Sequence, residues 1–243
     1  MENKLLILEV KKKKEFSELP DSLVKRALTL GKGDVKKSRD TLRKYFGVFL
    51  TNRVVGKIID NRVLSFHISS KKRDYSVLYS RILDDEKSIL DLGCGANGFS
   101  YSSIKEVLGD VEYLGVEASG QMVSKVNNYF ISNKFNARAL SFDLMDFMGV
   151  VGLLEKMKKP RTIFLFQVVD ALEFFERDSS KKLLLAIKDK CEKVVLSFSL
   201  KSLSGKKTFH GDRKWILDFL NEEFNILEDF SLFDERFIIL KNK

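Results

Sequence analysis

Three carboxylates and a set of glycines are the residues whose types and spacing could do chemistry. The segment SILDLGCGANG, residues 88–98, carries Gly93, Gly95 and Gly98, with Asp91 two residues before the first glycine. Glycines so spaced let backbone approach a ligand closely at a strand-to-helix turn, as they do for the pyrophosphate of a dinucleotide. Glu117, 24 residues after Gly93 at the end of YLGVEA, would accept ribose hydroxyls in a dinucleotide site and in other adenosine sites alike. Asp143, in SFDLMDF after the third apolar run, separates the two. A carboxylate there can accept the exocyclic amine of adenine while Leu144 packs on the ring. Asp91, Gly93, Gly95, Glu117, Asp143 and Leu144 are therefore expected to form a site of the S-adenosylmethionine (SAM) type.

Absences narrow what such a site could methylate. The N/D-P-P-Y/F motif of the common exocyclic-amine methyltransferases has no counterpart in FLFQVVDALE, and of the two cysteines Cys94 is in the glycine turn and Cys191 just precedes the fifth apolar run, so neither is placed as the nucleophile of cytosine C5 chemistry. An acceptor with its own lone pair, such as a ring nitrogen, is favoured. Guanine N7 fits, because it needs no deprotonation before attack, so positioning suffices and no dedicated catalytic base is expected. The two cysteines, Cys94 and Cys191, and two histidines, His67 and His210, share no metal-ligand spacing. Neither a metal site nor a disulfide is expected.

The elements that must position these residues alternate from residue 88 onward. ILDLG, YLGVEA, ARALSF, TIFLFQVV and KVVLSFSL have strand length and composition, and residues 120–135 and 172–190 between them have helical spacing. A helix over 212–224 precedes NILEDFSLF and ERFIILKN, which are too close together for a parallel crossover and must pair antiparallel. The expectation is an α/β, Rossmann-like class I SAM-dependent methyltransferase fold: a seven-stranded sheet with an antiparallel last strand, over residues 88–243.

Residues 1–87 lack that alternation and read as helices over 21–30, 35–49 and 75–83. They also hold 21 Lys and Arg against 12 Asp and Glu, which is the whole net charge of +9; after residue 87 there are 22 of each. A small, basic helical N-terminal domain beside a neutral body points to a polyanionic partner, with nucleic acid the default. At 243 residues and 44% hydrophobic the chain can bury one full core and a smaller appendage. No apolar run reaches membrane-spanning length, and the cluster Lys11–Lys14 follows the first apolar stretch rather than preceding it. A cytoplasmic protein is expected.

Several segments, in order from Val35 to the C-terminus, resemble the aminoglycoside-resistance 16S ribosomal RNA methyltransferases of the Arm/Rmt type, which act on N7 of guanine 1405 in the decoding site. SRDTLRKYFGVF is similar to that family's K-x-x-L-H-Q-x-x-x-x-Y/F, with Arg43 in place of the histidine and Phe49 at the aromatic position. HISSKKR resembles H-A-S-T-x-E-R, DLGCGAN resembles D-L-A/G-C-G-x-N, FQVVDALEFF resembles L-K-T-L-P-x-L-E-x-Q, and SFSLKSLSGKK resembles S-F-P-x-x-S-L-G-G-R.

The resemblance implies that Phe49, His67, Ile68, Ser69 and Arg73 wrap the cofactor, with Arg73 on its methionine carboxylate, and that Phe166 completes the site. It departs from the family at Gln167, Asp170 and Phe175, which stand for lysine, proline and glutamine. It further implies a 30S subunit as partner, a monomeric enzyme and a resistance role. Lys36, Lys37, Arg43 and Lys44 on the basic helix, with Lys201, Lys206 and Lys207 in the loop after KVVLSFSL, are the candidates for RNA phosphates. The target base must leave its stack, so an aromatic or apolar neighbour is expected to hold it. Action on another ribosomal or transfer RNA position, on a small molecule, or a non-catalytic RNA-binding role are the alternatives.

Overall fold

The computed structural model describes residues 2–47, 60–67, 70–200 and 213–243. Its centre is one seven-stranded sheet in the order β3-β2-β1-β4-β5-β7-β6. The strands are β1 (Ser88–Leu92), β2 (Glu112–Glu117), β3 (Ala137–Ser141), β4 (Arg161–Phe166), β5 (Lys193–Ser199), β6 (Phe224–Leu232) and β7 (Glu235–Asn242). The first five pair in parallel, while β7 runs antiparallel to both β5 and β6. This is the arrangement expected from the sequence, a seven-stranded sheet with an antiparallel last strand. β1 and β4 are buried along their whole length, which is why SILDL and RTIFLF read as continuous rather than alternating strands. The β6–β7 hairpin turns on Phe233 and Asp234 at φ 56° and 63°, the left-handed pair that a two-residue turn between twisted strands requires.

Helices α5 (Tyr101–Leu108), α6 (Gly120–Ser132), α7 (Phe147–Leu154), α8 (Val169–Phe175), α9 (Ser179–Ile187) and α10 (Lys214–Glu223) complete the α/β body. The single helix expected over 172–190 is two, α8 and α9, broken where Asp178 adopts φ 60°. Two apolar cores lie on the opposite faces of the sheet.

The N-terminal region begins with α1 (Glu2–Lys11), α2 (Asp21–Leu30) and α3 (Val35–Leu42). α2 buries Leu23, Val24, Ala27 and Leu28, two adjacent rows one turn apart, against Val10, Phe16, Leu19 and Leu42. This small core is separate from those of the sheet. α3, expected to run to 49, ends at Leu42 and widens into a π-type turn over Arg43–Gly47. The helix expected over 75–83 is α4 (Tyr75–Ile82), and Tyr75, Leu78, Tyr79 and Ile82 belong to the sheet's own core. In packing, then, the independent helical core ends near Leu42, and the residues from 60 onward are part of the body.

Candidate active site

The sheet order reverses direction at β1 and β4, and the crevice at the carboxyl ends of these strands is where open α/β sheets bind ligands. A cleft open to solvent lies there. Gly93 and Gly95 end β1 in a turn at φ 72° and 48°, a conformation that suits glycine. The amides of Gly93 and Cys94 donate to the Val116 carbonyl, which ties the turn to the end of β2. A Cβ at Gly93 would lie 2.5 Å from Val168, so only glycine fits. A Cβ at Gly95 would project between the His67 ring, 3.8 Å away, and Glu117 Oε2, at 4.0 Å, into the space that a ligand would fill.

Glu117 is held in place by amides. Its Oε2 accepts from Gly95 N at 3.1 Å and its Oε1 from Ser119 N at 2.9 Å. Each oxygen keeps a further lone pair, so the carboxylate can take two ribose hydroxyls. Burial raises its pKa, and the hydrogen bonds from the Ser119 and Gly95 amides act against that rise. Asp143 lines the cleft beside Leu144, and its Oδ1 accepts from Met145 N at 3.0 Å. The glycine cradle, the anchored diol acceptor and this second carboxylate fit an adenosine-bearing cofactor of the SAM type.

His67 and Phe166 also line the cleft. The His67 ring is buried with Nδ1 3.2 Å from Ser70 Oγ, and burial, then the charge of Arg73, lowers its pKa to about 4. The ring is neutral near neutral pH and adds no positive charge to a pocket meant for a cationic ligand. Gln167 sits at φ 58° at the end of β4, its amide donating to Ser197 O at 3.1 Å. Backbone of this kind in a non-glycine residue is concentrated at functional sites.

Two residues expected at the cofactor lie behind the cleft instead. Arg73 is not in its lining. The guanidinium gives Nε and Nη2 to Glu235 at 2.8 and 2.9 Å, both side chains at most 4% exposed, and packs on the Phe166 ring. Its Nη1 faces Tyr75 and Asn97, each at 3.5 Å. A pair this buried ties the segment after His67 to the last strand. Asp91 is likewise buried under the turn, accepting from Asn97 Nδ2 and Tyr113 Oη, both at 2.6 Å. Burial pushes its carboxyl up to about 6. Asp91 braces the turn through Asn97.

The cleft has a second wall that the sequence did not reveal. Leu23 of α2 and Tyr45 and Phe46 of the π-type turn line it, together with Met122, Val168, Ala171, Leu172 and Phe175. Ser22 donates to Asp143 Oδ2 at 2.6 Å, and the Arg26 guanidinium lies 3.8 Å from the same oxygen and 3.5 Å from Glu176. These partners are more than a hundred residues apart, and no local spacing announces such a contact. The one legible signal was KYF, aromatics set beside basic residues.

Of the expected phosphate contacts, Lys36, Lys37 and Lys44 are exposed. Arg43 turns to Asp40 and Glu15, at 3.0 and 3.2 Å. Phe49, Ile68, Ser69, Lys201, Lys206 and Lys207 lie outside the described residues. Among the described residues no helix is long and apolar enough to cross a membrane, and no group of three His, Cys, Asp or Glu could hold a metal.

No protein-family model matches the chain, and no curated protein matches its sequence. Solved structures do. The 16S rRNA methylase RmtB superposes with a TM-score of 0.78 at 17% identity over 99% of this chain and 98% of its own. An rRNA methylase from Escherichia coli gives 0.78 at 18% identity over 99% and 100%. The 16S rRNA methyltransferase RmtF, solved with S-adenosyl-L-homocysteine, gives 0.77 at 17% over 99% and 98%. Along nearly its whole length, N-terminal helices included, the chain therefore carries the class I methyltransferase fold in the form these rRNA methylases have.

Proposed function

We propose that the protein is a SAM-dependent methyltransferase acting on 16S ribosomal RNA, at guanine N7 in the decoding site (the guanine 1405 position), on the assembled 30S subunit in the cytoplasm. The observation that carries this reading is the extent of the likeness. It covers 99% of the chain, so it includes the basic helical region as well as the common catalytic body. The motif series in the sequence points the same way, and aminoglycoside resistance is the biological consequence that follows from that position.

Bound in the cleft, SAM would supply an electrophilic methyl group for the lone pair of guanine N7, with the sulfonium sulfur as leaving group. The protein's part is positioning. The turn at Gly93 and Gly95 admits the ligand to the backbone, Glu117 takes the ribose, and Asp143 and Leu144 take the adenine. His67, Phe166 and Gln167 line the same cleft, with the His67 ring beside the glycine turn. None of the cleft-lining groups needs to remove a proton, because N7 carries none. Lys36, Lys37 and Lys44 would grip phosphates from the N-terminal side.

Purified protein given labelled SAM tests the reading on unmodified 30S subunits and on naked 16S RNA. Label in the 30S RNA, released on digestion as 7-methylguanosine, is the expected result. Another labelled nucleoside overturns the guanine N7 assignment, equal labelling of naked RNA overturns the need for the assembled subunit, and unlabelled RNA in both cases overturns the activity.

A further inference from the structure

A flipped guanine needs a surface to stack on, and the cleft offers one aromatic face assembled from two distant segments. Tyr45, in the π-type turn after α3, lines the cleft together with Gln167 and Val168 after β4 and Ala171 of α8. Its ring stacks on Phe174 of α8 with centroids 4.0 Å apart and planes 27° from parallel. Phe175 tilts against the same ring at 5.6 Å, and Phe46 braces Phe175 at 6.3 Å. The Lys44 ammonium lies 5.4 Å from the Tyr45 centroid and 5.1 Å from that of Phe174.

Several features set this group apart from ordinary core. The rings that build the sheet's core, such as Tyr79, Phe164 and Phe237, are fully buried, whereas Tyr45 and Phe174 are only partly buried. Tyr45 is rooted in the basic N-terminal region, so the element that meets the polyanion also reaches the cleft. An exposed lysine beside a stacked aromatic pair is the combination that holds a nucleotide, its base on the ring and its phosphate on the cation. The Tyr45 position is also continuous with Gln167, whose strained backbone borders the part of the cleft next to the glycine turn.

We propose that Tyr45, backed by Phe174 and flanked by Lys44, is the stacking face for the target purine. It acts as a substrate-positioning residue, with Lys44 taking a phosphate of the same or the adjacent nucleotide. This rests on the RNA methyltransferase reading given above.

Tyr45→Ala and Tyr45→Phe are compared with the unaltered chain on 30S subunits, alongside calorimetry with S-adenosylhomocysteine. Stacking on one aromatic side chain leads one to expect about a 10- to 100-fold fall in kcat/KM for the alanine variant. S-adenosylhomocysteine affinity should change less than about twofold, and phenylalanine should recover most of the loss. Turnover by Tyr45→Ala within about twofold of the unaltered chain overturns the proposal, as does a matching loss of S-adenosylhomocysteine affinity, which would make Tyr45 a cofactor contact. A second readout needs no turnover: ultraviolet cross-linking of the full chain, loaded with S-adenosylhomocysteine, to 30S subunits. A Tyr45 peptide joined to RNA supports the stack even if methyl transfer is never found. Its absence from the cross-linked peptides, with other peptides joined, overturns it.

Discussion

The two walls of the cleft are built from different kinds of material. The sheet wall is mostly backbone and fixed carboxylate: the turn at Gly93 and Gly95, Glu117 clamped by two amides, and Arg73 with Glu235 sealed behind it. The helical wall is side chain laid over the opening: Leu23, Tyr45 and Phe46, with Ser22 and Arg26 reaching to Asp143. The first wall has what a constant ligand requires, a preorganised shape that any cofactor-using relative would keep. The second has what a variable substrate requires, because its residues can change without disturbing the turn that holds the cofactor. On this view chemistry is assigned to the sheet and choice of substrate to the helices.

The sharpest way to break this comparison is to disturb what lies behind the sheet wall. Arg73→Ala leaves Glu235 buried without its ion-pair partner, and the expected cost is about 3–5 kcal/mol of stability, read by chemical denaturation. Replacing both residues with apolar side chains of similar volume should recover most of it; an intact Arg73→Ala stability with lost SAM binding would instead make Arg73 a cofactor residue. Next comes pH. His67 has an ordinary value of 6.5 and a folded value of about 4, so the unfolded chain takes up its proton first as pH falls. Its contribution is complete above pH 6.5 and is lost toward pH 4, about 3 kcal/mol in all. Asp91, raised to about 6, works in the opposite sense, its contribution present at low pH and lost as pH rises through 6, and offsets part of the decline. His67→Gln should therefore give a flatter acid limb than the unaltered chain, and equally steep limbs would contradict the assignment.

Glu117→Ala removes the diol acceptor, and two charge-assisted hydrogen bonds put the expected loss in SAM affinity at about 100-fold by calorimetry. A loss below about threefold would mean that the ribose lies elsewhere. The smallest effect belongs to the helical wall's outer face. Lys36→Ala with Lys37→Ala should raise the KM for 30S subunits a few-fold, lower the salt slope of binding by about 2, and leave SAM affinity alone. An unchanged salt slope would remove these lysines from the RNA footprint.

What could be read from the sequence follows the same division. The glycine turn, Glu117 and Asp143 were legible because a strand, a tight turn and a carboxylate at the next strand end are local patterns with a fixed chain distance between them. The strand directions followed from strands spaced for crossovers and from two strands too close for one. The roles of Arg73 and Asp91 were harder, because a charged residue near a motif looks the same whether it faces the ligand or braces the turn. What decides is the partner, and Glu235 and Tyr113 are distant in sequence. Leu23 and Ser22 were invisible for a related reason: an amphipathic helix announces that it has a buried face, never what that face covers. The break of α3 at Leu42 is the one local surprise with a functional outcome, since the wider turn after it carries Tyr45 and Phe46 into the cleft.

The most direct test of the account is to map the methyl group on the RNA itself. Unmodified 30S subunits are incubated with the full chain and SAM, and the 16S RNA is then treated with borohydride and aniline, which cleave the strand at 7-methylguanine. The account predicts a single new cleavage at guanine 1405 that needs both protein and SAM. Methylation without that cleavage, or cleavage at a different guanine, would contradict it.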